Sequence, residues 1–597
     1  MDGKEVVQVY LNRPYDGTSA KYNSTYGVEA PASELVGFKK TASLKRGQTE
    51  TVKIQIDERS FASYDSKGAG TYVLTGGDYY LSLGNGAHDA LNNCLAKKAA
   101  GNTKIDDANA DKNLCSDAIK LSFDDHTYST SAETNAKIGN LFDDCDYNNY
   151  EHKVEGDKVN YISRNDWEGT VTLGWDEGVV LHYNPSLQAD LDKYGRQGET
   201  AIEEDDGQYP TMGASNGLQL ITLRQNSEGE EIAYDDPIWD TLLDQLTWED
   251  MVETIRAGMR CSSQIANIGK PYCVDHNGPT GLTEKYSYGE NGLATTTDDP
   301  NKDDRAMCYP ASGILAASYN IDLAYEVGHM ISEDAIWAGY AGLYGPGSNI
   351  QRTPYSGRNY EYYSEDGYLT GIIAGYECAA MESNGLYVYN KHFALNEMED
   401  MRRGVCTWAN EQTMREIYLR AFELPIAMNG KKYTPKDGEE EITLKGASGV
   451  MVAFNRVGLY WSGLRKSLMT DFLRTECGMT GICVTDMWYG TATPYLNAPA
   501  MLLAGTNLVD GGIKATEFDA CKTKHSKVAW AMRESIHRIC YSALHSNAMN
   551  GISSNTIIIP VREFWRNIIL GAQITAGLIL LGGFIPLVLI NVKKREV

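Results

Sequence analysis

Short runs of β-branched and aromatic residues open the chain. They fall at 5–12, 34–43, 50–57 and 71–83, separated by turn clusters such as SKGAG (66–70) and TGGD (75–78). That spacing predicts several short strands folded as a β-sandwich over residues 1–97. Residues 98–235 are polar, rich in Asp, Asn and Gly, and carry no long periodic segment. So long a connection is uncommon inside a compact domain, and it reads as functional or as a segment wrapped across its neighbour. From Pro237 the pattern changes. WDTLLDQLTWEDM (239–251) has apolar residues at helical spacing, and short apolar segments follow at 272–274, 341–344, 386–389, 450–454, 482–484 and 506–509. Strands alternating with helices over 236–550 predict a parallel sheet, with a length that suits a (β/α) TIM-type barrel carrying insertions. From 568 to 590 the chain has no charge, enough to cross a hydrocarbon core of about 30 Å. The expected fold is therefore multi-domain: a β-sandwich, a (β/α) TIM-type barrel and one transmembrane helix at 567–591, with a basic tail at 592–597.

Composition narrows the function classes. The net charge of −26 is spread along the chain, which argues against nucleic acid as a partner. The 12 cysteines form no CxxC pair, HExxH is absent, and the sequence calls for no metal and no cofactor. Tyrosine is frequent at 38 residues, which suits surfaces that stack on sugars and equally suits β-rich domains. Lys593, Lys594 and Arg595 follow the apolar stretch, and Arg562 and Arg566 precede it. The positive-inside tendency then gives a single-pass protein of the cell membrane with its bulk outside the cytoplasm. No signal-peptide pattern opens the chain, and a start inside a strand reads as a chain missing its beginning.

The chemistry gathers at strand ends. GICVTDMW (481–488) reads as a short buried strand ending in Asp486, beside Trp488. In a (β/α) barrel that end faces the active site, although Asp486 also suits the N-cap of a following helix. Other predicted strand ends supply Asp275 and Asn277, then Asn390, Lys391 and His392, then Asn455 and Arg456; a loop bearing Arg358 enters a helix that Ser364 is expected to cap. Cations, amides, a histidine, carboxylates and an aromatic make a polyol-binding set.

The segments YGPGSNIQRTP, SGRNYEYYSEDGYLTG, KHFALNEME, MREIYLRAFELPI, GVMVAFNRVG and GICVTDMW resemble, in order, the barrel motifs of family 3 glycoside hydrolases. EVVQVYLN, ELVGFKK and GGDYYLSLG resemble that family's fibronectin type III-like domain. A β-domain ahead of the barrel resembles the circularly permuted branch, in which an α/β sandwich comes first. The resemblance implies a retaining β-glycosidase, a β-glucosidase above all, acting on a β-linked oligosaccharide or glycoside through a covalent intermediate on Asp486. It implies that Arg358, Lys391 and His392 hold sugar hydroxyls, with Met451 and Trp488 also against the sugar. Three departures stand out. The family's Asp-Gly-Pro clamp reads Asn277-Gly-Pro279, so the hydroxyl contact weakens or moves to Asp275. A common tyrosine is Phe454. The α/β sandwich that carries the acid/base is not recognised in the chain, and is expected upstream or in trans. Glu361, Glu365, Glu397, Glu399 and Asp400 sit in motifs that assign them structural roles. A non-catalytic carbohydrate-binding membrane protein and a β-xylosidase or arabinosidase of the same family remain as alternatives.

Overall fold

A computed structural model describes residues 2–15, 28–98, 109–154, 159, 161–164, 184–194, 198–205, 207–282, 287–288, 294–295, 309–435, 440–488, 493–559 and 564–593. Strands β1 (Val6–Asn12), β2 (Glu34–Lys40), β3 (Ser63–Asp65), β4 (Thr71–Val73) and β5 (Gly77–Leu83) precede helix α1 (Ala87–Lys98) and strand β6 (Ile119–Leu121). They form an antiparallel sheet in the order β2-β1-β5-β6, with β3 and β4 as a separate hairpin. Alternation buries Val9 and Leu11 with Val36, Phe61, Tyr64 and Tyr79. Two expectations shift. Residues 50–57 form no strand; Ile54 and Ile56 still pack on this core as an extended segment. The sheet also takes β6 from beyond residue 97.

The polar segment after residue 98 wraps across the barrel where it is described. Phe142 and Cys145 are fully buried in the barrel's core cluster. Arg465, with its side chain 0% exposed, holds Asp144 at 2.8 Å and Glu199 at 3.3 Å. Asp205 accepts from Ser526 N at 3.1 Å. The expected feature at 161–170 lies mostly outside the described residues, Trp167 included.

Helix α2 (Trp248–Arg256) opens with a capping box between Thr247 and Asp250 and buries Met251, Val252 and Ile255. Strands β7 (Cys261–Ser262), β8 (Cys273–Asn277), β9 (Gly342–Tyr344), β10 (Tyr387–Phe393), β11 (Gly449–Val452) and β12 (Cys483–Thr485) then form one sheet in reverse chain order. β7 is antiparallel to β8, and β8 to β12 are parallel. A parallel bridge from Val484 to Leu508 extends the sheet. Val509 N donates to Ile255 O, and Gly258 N to Val509 O, both at 3.0 Å, which returns the ring to its start. The barrel is TIM-like but shorter than eight strands among the described residues. Helices α3 (Ile321–Trp337) and α4 (Gly367–Ser383) cover it, with Gly328 against the backbone of Glu377 where a Cβ would stand 2.2 Å from the carbonyl oxygen. The N-cap of α4 is Asp366, which accepts from Leu369 N at 2.7 Å; Ser364 instead accepts from Asp366 N.

Helices α5 (Ala498–Ala504) and α6 (Ser526–Leu544) pack outside the last strands, and α7 (Phe564–Lys593) ends the described chain. Ile574, Leu578 and Leu581 on α7 are exposed. No helix is long and apolar enough to cross a membrane among the described residues. The unbroken stretch of α7 with described side chains, 567–583, is shorter than the roughly 20 residues a span needs. Side chains at 584 and 587–593, and residues 594–597, lie outside the described set, so the expected span and basic tail draw no support from it.

Candidate active site

The parallel register stacks the inward side chains in layers. Asp275 pairs with Gly342 and Gly342 with Tyr387; higher up, Lys391 pairs with Met451 and Met451 with Val484. Side chains two residues apart share a face, so Asn277 stands one layer above Asp275, and Asp486 one layer above Val484.

Asp275 belongs to the barrel floor. Its two oxygens accept from Tyr387 at 2.6 Å and Tyr389 at 2.9 Å, and the residue is 1% exposed. Burial pushes its carboxyl up to about 6. Each oxygen of Asp275, expected to take over a sugar hydroxyl, thus already accepts from a tyrosine one layer or more below Lys391. Gly342 makes room for this floor: a Cβ there would stand 2.1 Å from the Tyr387 ring.

Asn277 and Lys391 do meet. Lys391 Nζ donates to Asn277 Oδ1 at 2.7 Å, and burial pulls the amine down to about 8. Asn349 brackets the next residue: its Oδ1 accepts from His392 N at 2.7 Å and its Nδ2 donates to His392 O at 3.1 Å. Burial, aided by Arg358, Lys391 and Arg402, holds the His392 imidazole well below its ordinary value. The ring is therefore neutral, with one nitrogen that donates and one that accepts. Arg358 donates through Nε to the buried Glu361 and lies 3.9 Å from Glu399. Glu397 accepts from Asn349 at 3.2 Å. Glu361, Glu397 and Glu399 thus serve to hold other site residues.

Asp486 projects from the end of β12. Its backbone N donates to Val452 O at 3.1 Å, and its Oδ1 accepts from Met487 N at 2.7 Å. Oδ2 stands 4.0 Å from His392 Nε2 and 4.0 Å from Arg402 Nη1. Burial raises the carboxyl above its ordinary range, opposed by the Met487 N–H, Arg402, Arg358 and Lys391. The cap alternative finds no helix among the described residues: the next one, α5, is capped by Asn497. Met451 is buried at the level of Lys391, and Trp488 is half-buried, packed on the core with its N–H on Asp510 O at 2.7 Å.

Three residues at this site escaped the sequence reading. Arg402 lies over the Phe454 ring at 4.9 Å and binds Glu399 at 3.1 Å. Tyr344 reaches Asp510, and Asp510 ends the next strand-like segment. The strand-end rule that singled out Asp486 also points to Asp510. A separate cavity lined by 199–203, His525, Lys527 and Val528 holds none of the predicted residues. No group of side chains suited to a metal is found among the described residues.

A barrel that presents a carboxylate with an open oxygen among cations, amides and a neutral histidine is the framework of a carbohydrate-active protein. Residues 302–509 match the glycosyl hydrolase family 3 N terminal domain, and residues 5–87 the fibronectin type III-like domain. Residues 302–509 therefore carry a family 3 glycoside hydrolase domain, and the chain is similar to β-glucosidases. It is 26% identical over 522 residues to beta-glucosidase A of Butyrivibrio fibrisolvens, covering 85% of this chain and 52% of that protein. It is 35% identical over 187 residues to the probable beta-glucosidase I of Aspergillus clavatus, covering 31% of this chain and 20% of that one. The chain thus spans about half or less of these curated relatives. A β-glucosidase structure from Paenibacillus barengoltzii shares the fold, with a TM-score of 0.55 at 22% identity over 94% of this chain and 53% of that one.

Proposed function

We propose that this chain is the nucleophile-bearing part of a retaining β-glycosidase whose substrate is a terminal, non-reducing β-linked glucose. The observation that carries this is Asp486, whose Oδ2 stands open at a barrel strand end, 4.0 Å from His392 and Arg402. Lys391 with Asn277, Arg358 and the neutral His392 bind the sugar hydroxyls. Asp486 attacks the anomeric carbon, and water releases the sugar in a second step. Retention needs a second carboxyl about 5 to 5.5 Å from the first to protonate the leaving group. An α/β sandwich upstream or in trans supplies it in this reading. The uncharged run at 568–590, the exposed apolar residues of α7 and the basic residues after it support a membrane anchor, with the barrel outside the cytoplasm.

The test is an activated 2-fluoroglucoside incubated with the full chain, followed by peptide mass spectrometry. A glycosyl adduct on the Asp486 peptide, lost in Asp486→Ala, is expected. No wild-type adduct, or one that persists in the variant, overturns the nucleophile. Faster labelling by the xylosyl analogue would move the substrate to xylose. The amide at Asn277 and the missing hydroxyl at Phe454 favour a second reading, a non-catalytic carbohydrate binder, which glucose binding without any adduct would establish. Carbonate-resistant association with lipid vesicles, lost on truncation before α7, tests the anchor.

A further inference from the structure

Asp510 stands beside Asp486 on the neighbouring strand position. The Val484–Leu508 bridge fixes the register, and each aspartate lies two residues past its bridged partner. Three bonds hold that register: Thr485 N donates to Leu508 O at 2.9 Å, Asp510 N to Thr485 Oγ1 at 2.9 Å, and Trp488 N to Asp510 O at 2.7 Å. Parallel strands lie about 4.8 Å apart, so side chains at matching positions face the same space. Asp510 is 3% exposed. Its Oδ1 accepts from Arg260 N at 3.2 Å and from Tyr344 Oη at 3.4 Å, while Oδ2 accepts no hydrogen bond from a described residue.

The charged and titratable groups around it come from several strands of the barrel: Asp486 after β12, Lys391 from β10, Tyr344 from β9, Cys261 from β7, and Arg260 just before it. Burial and then the Asp486 charge push the Asp510 carboxyl up to about 7. The like charge of Asp486 favours the protonated form of Asp510. Arg402, Arg358 and Lys391 favour the charge on Asp486, whereas burial and that charge favour the proton on Asp510. A neutral acid with one oxygen anchored and the other open is a directed donor.

We propose that Asp510 is a substrate-binding residue that donates its Oδ2 proton to a ring hydroxyl of the same sugar whose anomeric carbon Asp486 attacks. The inference rests on the proposed function, and it makes the pocket two-carboxyl without making Asp510 the leaving-group acid. Its near-complete burial places it in the wall beside the nucleophile.

The experiment measures the rate of 2-fluoroglucosyl labelling of Asp486 against pH in the full chain, as inactivator affinity and maximal rate separately. Wild type is expected to lose affinity as pH rises through about 7, as the donor ionises. Asp510→Asn keeps the shape and a donor and should abolish that inflection while labelling within 10-fold of wild type. Asp510→Ala should weaken inactivator affinity by about 10- to 100-fold, the loss expected for one strong hydrogen bond. An unchanged inflection in the Asn variant overturns the proposal, as does wild-type affinity in the Ala variant. Should the Ala variant fail to fold, the Asn profile decides alone. Labelling by aryl and fluoride leaving groups should suffer equally in Asp510→Asn; a loss that grows with poorer leaving groups would make Asp510 the proton donor and overturn its binding role. If wild type labels nowhere, the parent reading has failed; if it labels at Asp486 and the Asp510 variants match it, only this inference has.

Discussion

Replacing Arg415 with methionine probes how the polar segment is fastened to the barrel. The Arg415 side chain is 1% exposed and donates to Glu411 Oε1 at 2.6 Å, to Glu476 Oε2 and Oε1 at 2.7 and 3.1 Å, and to Gly139 O at 2.7 Å. Glu411 in turn accepts from the backbone N–H groups of Leu141 and Phe142. The substitution keeps most of the volume but leaves two buried carboxyls without their cation. Removing one partner from such a cluster costs about 3 to 5 kcal/mol. At 1.36 kcal/mol per decade this is roughly a 100- to 5,000-fold rise in local opening. A chain of several domains does not unfold in two states, so the local quantity is the one to measure. Hydrogen exchange at Leu141 and Phe142 should accelerate by that factor at pH 7. Burial already raises both Glu411 and Glu476 in the presence of Arg415, and losing the arginine raises them further. A carboxyl with a raised folded-state pKa destabilises the fold as pH rises through that value, so the deficit should shrink on acidification from pH 7 towards 5. Acceleration below 10-fold, or one independent of pH, would refute the reasoning.

Other outcomes follow from the site. Lys391→Met should weaken glucose binding by about 10- to 150-fold, since hydrogen bonds to charged groups contribute about 1.5 to 3 kcal/mol. The Lys391 amine is pulled down to about 8, so its charge is present below that pH and lost above it. Wild-type affinity by titration calorimetry should fall above pH 8, and the variant should show no such limb. Asn277→Asp places a carboxylate where the amide oxygen now lies 2.7 Å from Lys391 Nζ; the alkaline limb should move up by about one pH unit, and an unmoved limb would show that this contact does not set the amine. Gly342→Ala would set a Cβ 2.1 Å from the Tyr387 ring and 2.6 Å from Asp275 Oδ1. Overpacking plus an unpaired buried oxygen should cost about 3 kcal/mol, read as a lower thermal midpoint of the barrel, and an unchanged midpoint would mean that the floor can relax.

Much of the fold could be read from apolar runs, because continuous ones mark strands covered on both faces. The six segments from 272 to 509 all fall on strands or on the bridged position at Leu508. Residues 50–57 misled for a physical reason: Ile54 and Ile56 alternate and pack as strand residues do, yet the backbone there joins no ladder. Strand β6 has three residues, too few to show a period. At the site, the sequence put Asp275 and Asn277 together at a strand end, but it could not say which layer of the barrel each occupies. The register and the hydroxyls of Tyr387 and Tyr389, more than a hundred residues away, decide that Asp275 is bonded in the floor while Asn277 meets Lys391 a layer above.

The same distance in sequence hid the role of residues 98–235, and it yields a prediction about the barrel itself. That segment looks like a linker because its contribution lies in what it pairs with. Arg465 donates through Nε to Val457 O at 2.6 Å and through its other nitrogens to Asp144 and Glu199. Ser467 N donates to Glu199 at 2.7 Å, and Ser131 Oγ to Glu476 O at 2.6 Å. A chain cut to 236–550 would leave the Arg465 guanidinium without Asp144 and Glu199, take Gly139 O from Arg415, and uncover the apolar seat of Phe142. The stranded Arg465 charge costs several kcal/mol, and with the lost apolar burial of Phe142 the total is a large share of the stability of a domain, about 5 to 15 kcal/mol. The cut chain should therefore be aggregated or lack near-ultraviolet circular dichroism, and residues 109–235 supplied as a separate chain should restore part of the signal. A monomeric 236–550 chain that melts cooperatively at the temperature of the full chain would show that the wrap only decorates the barrel.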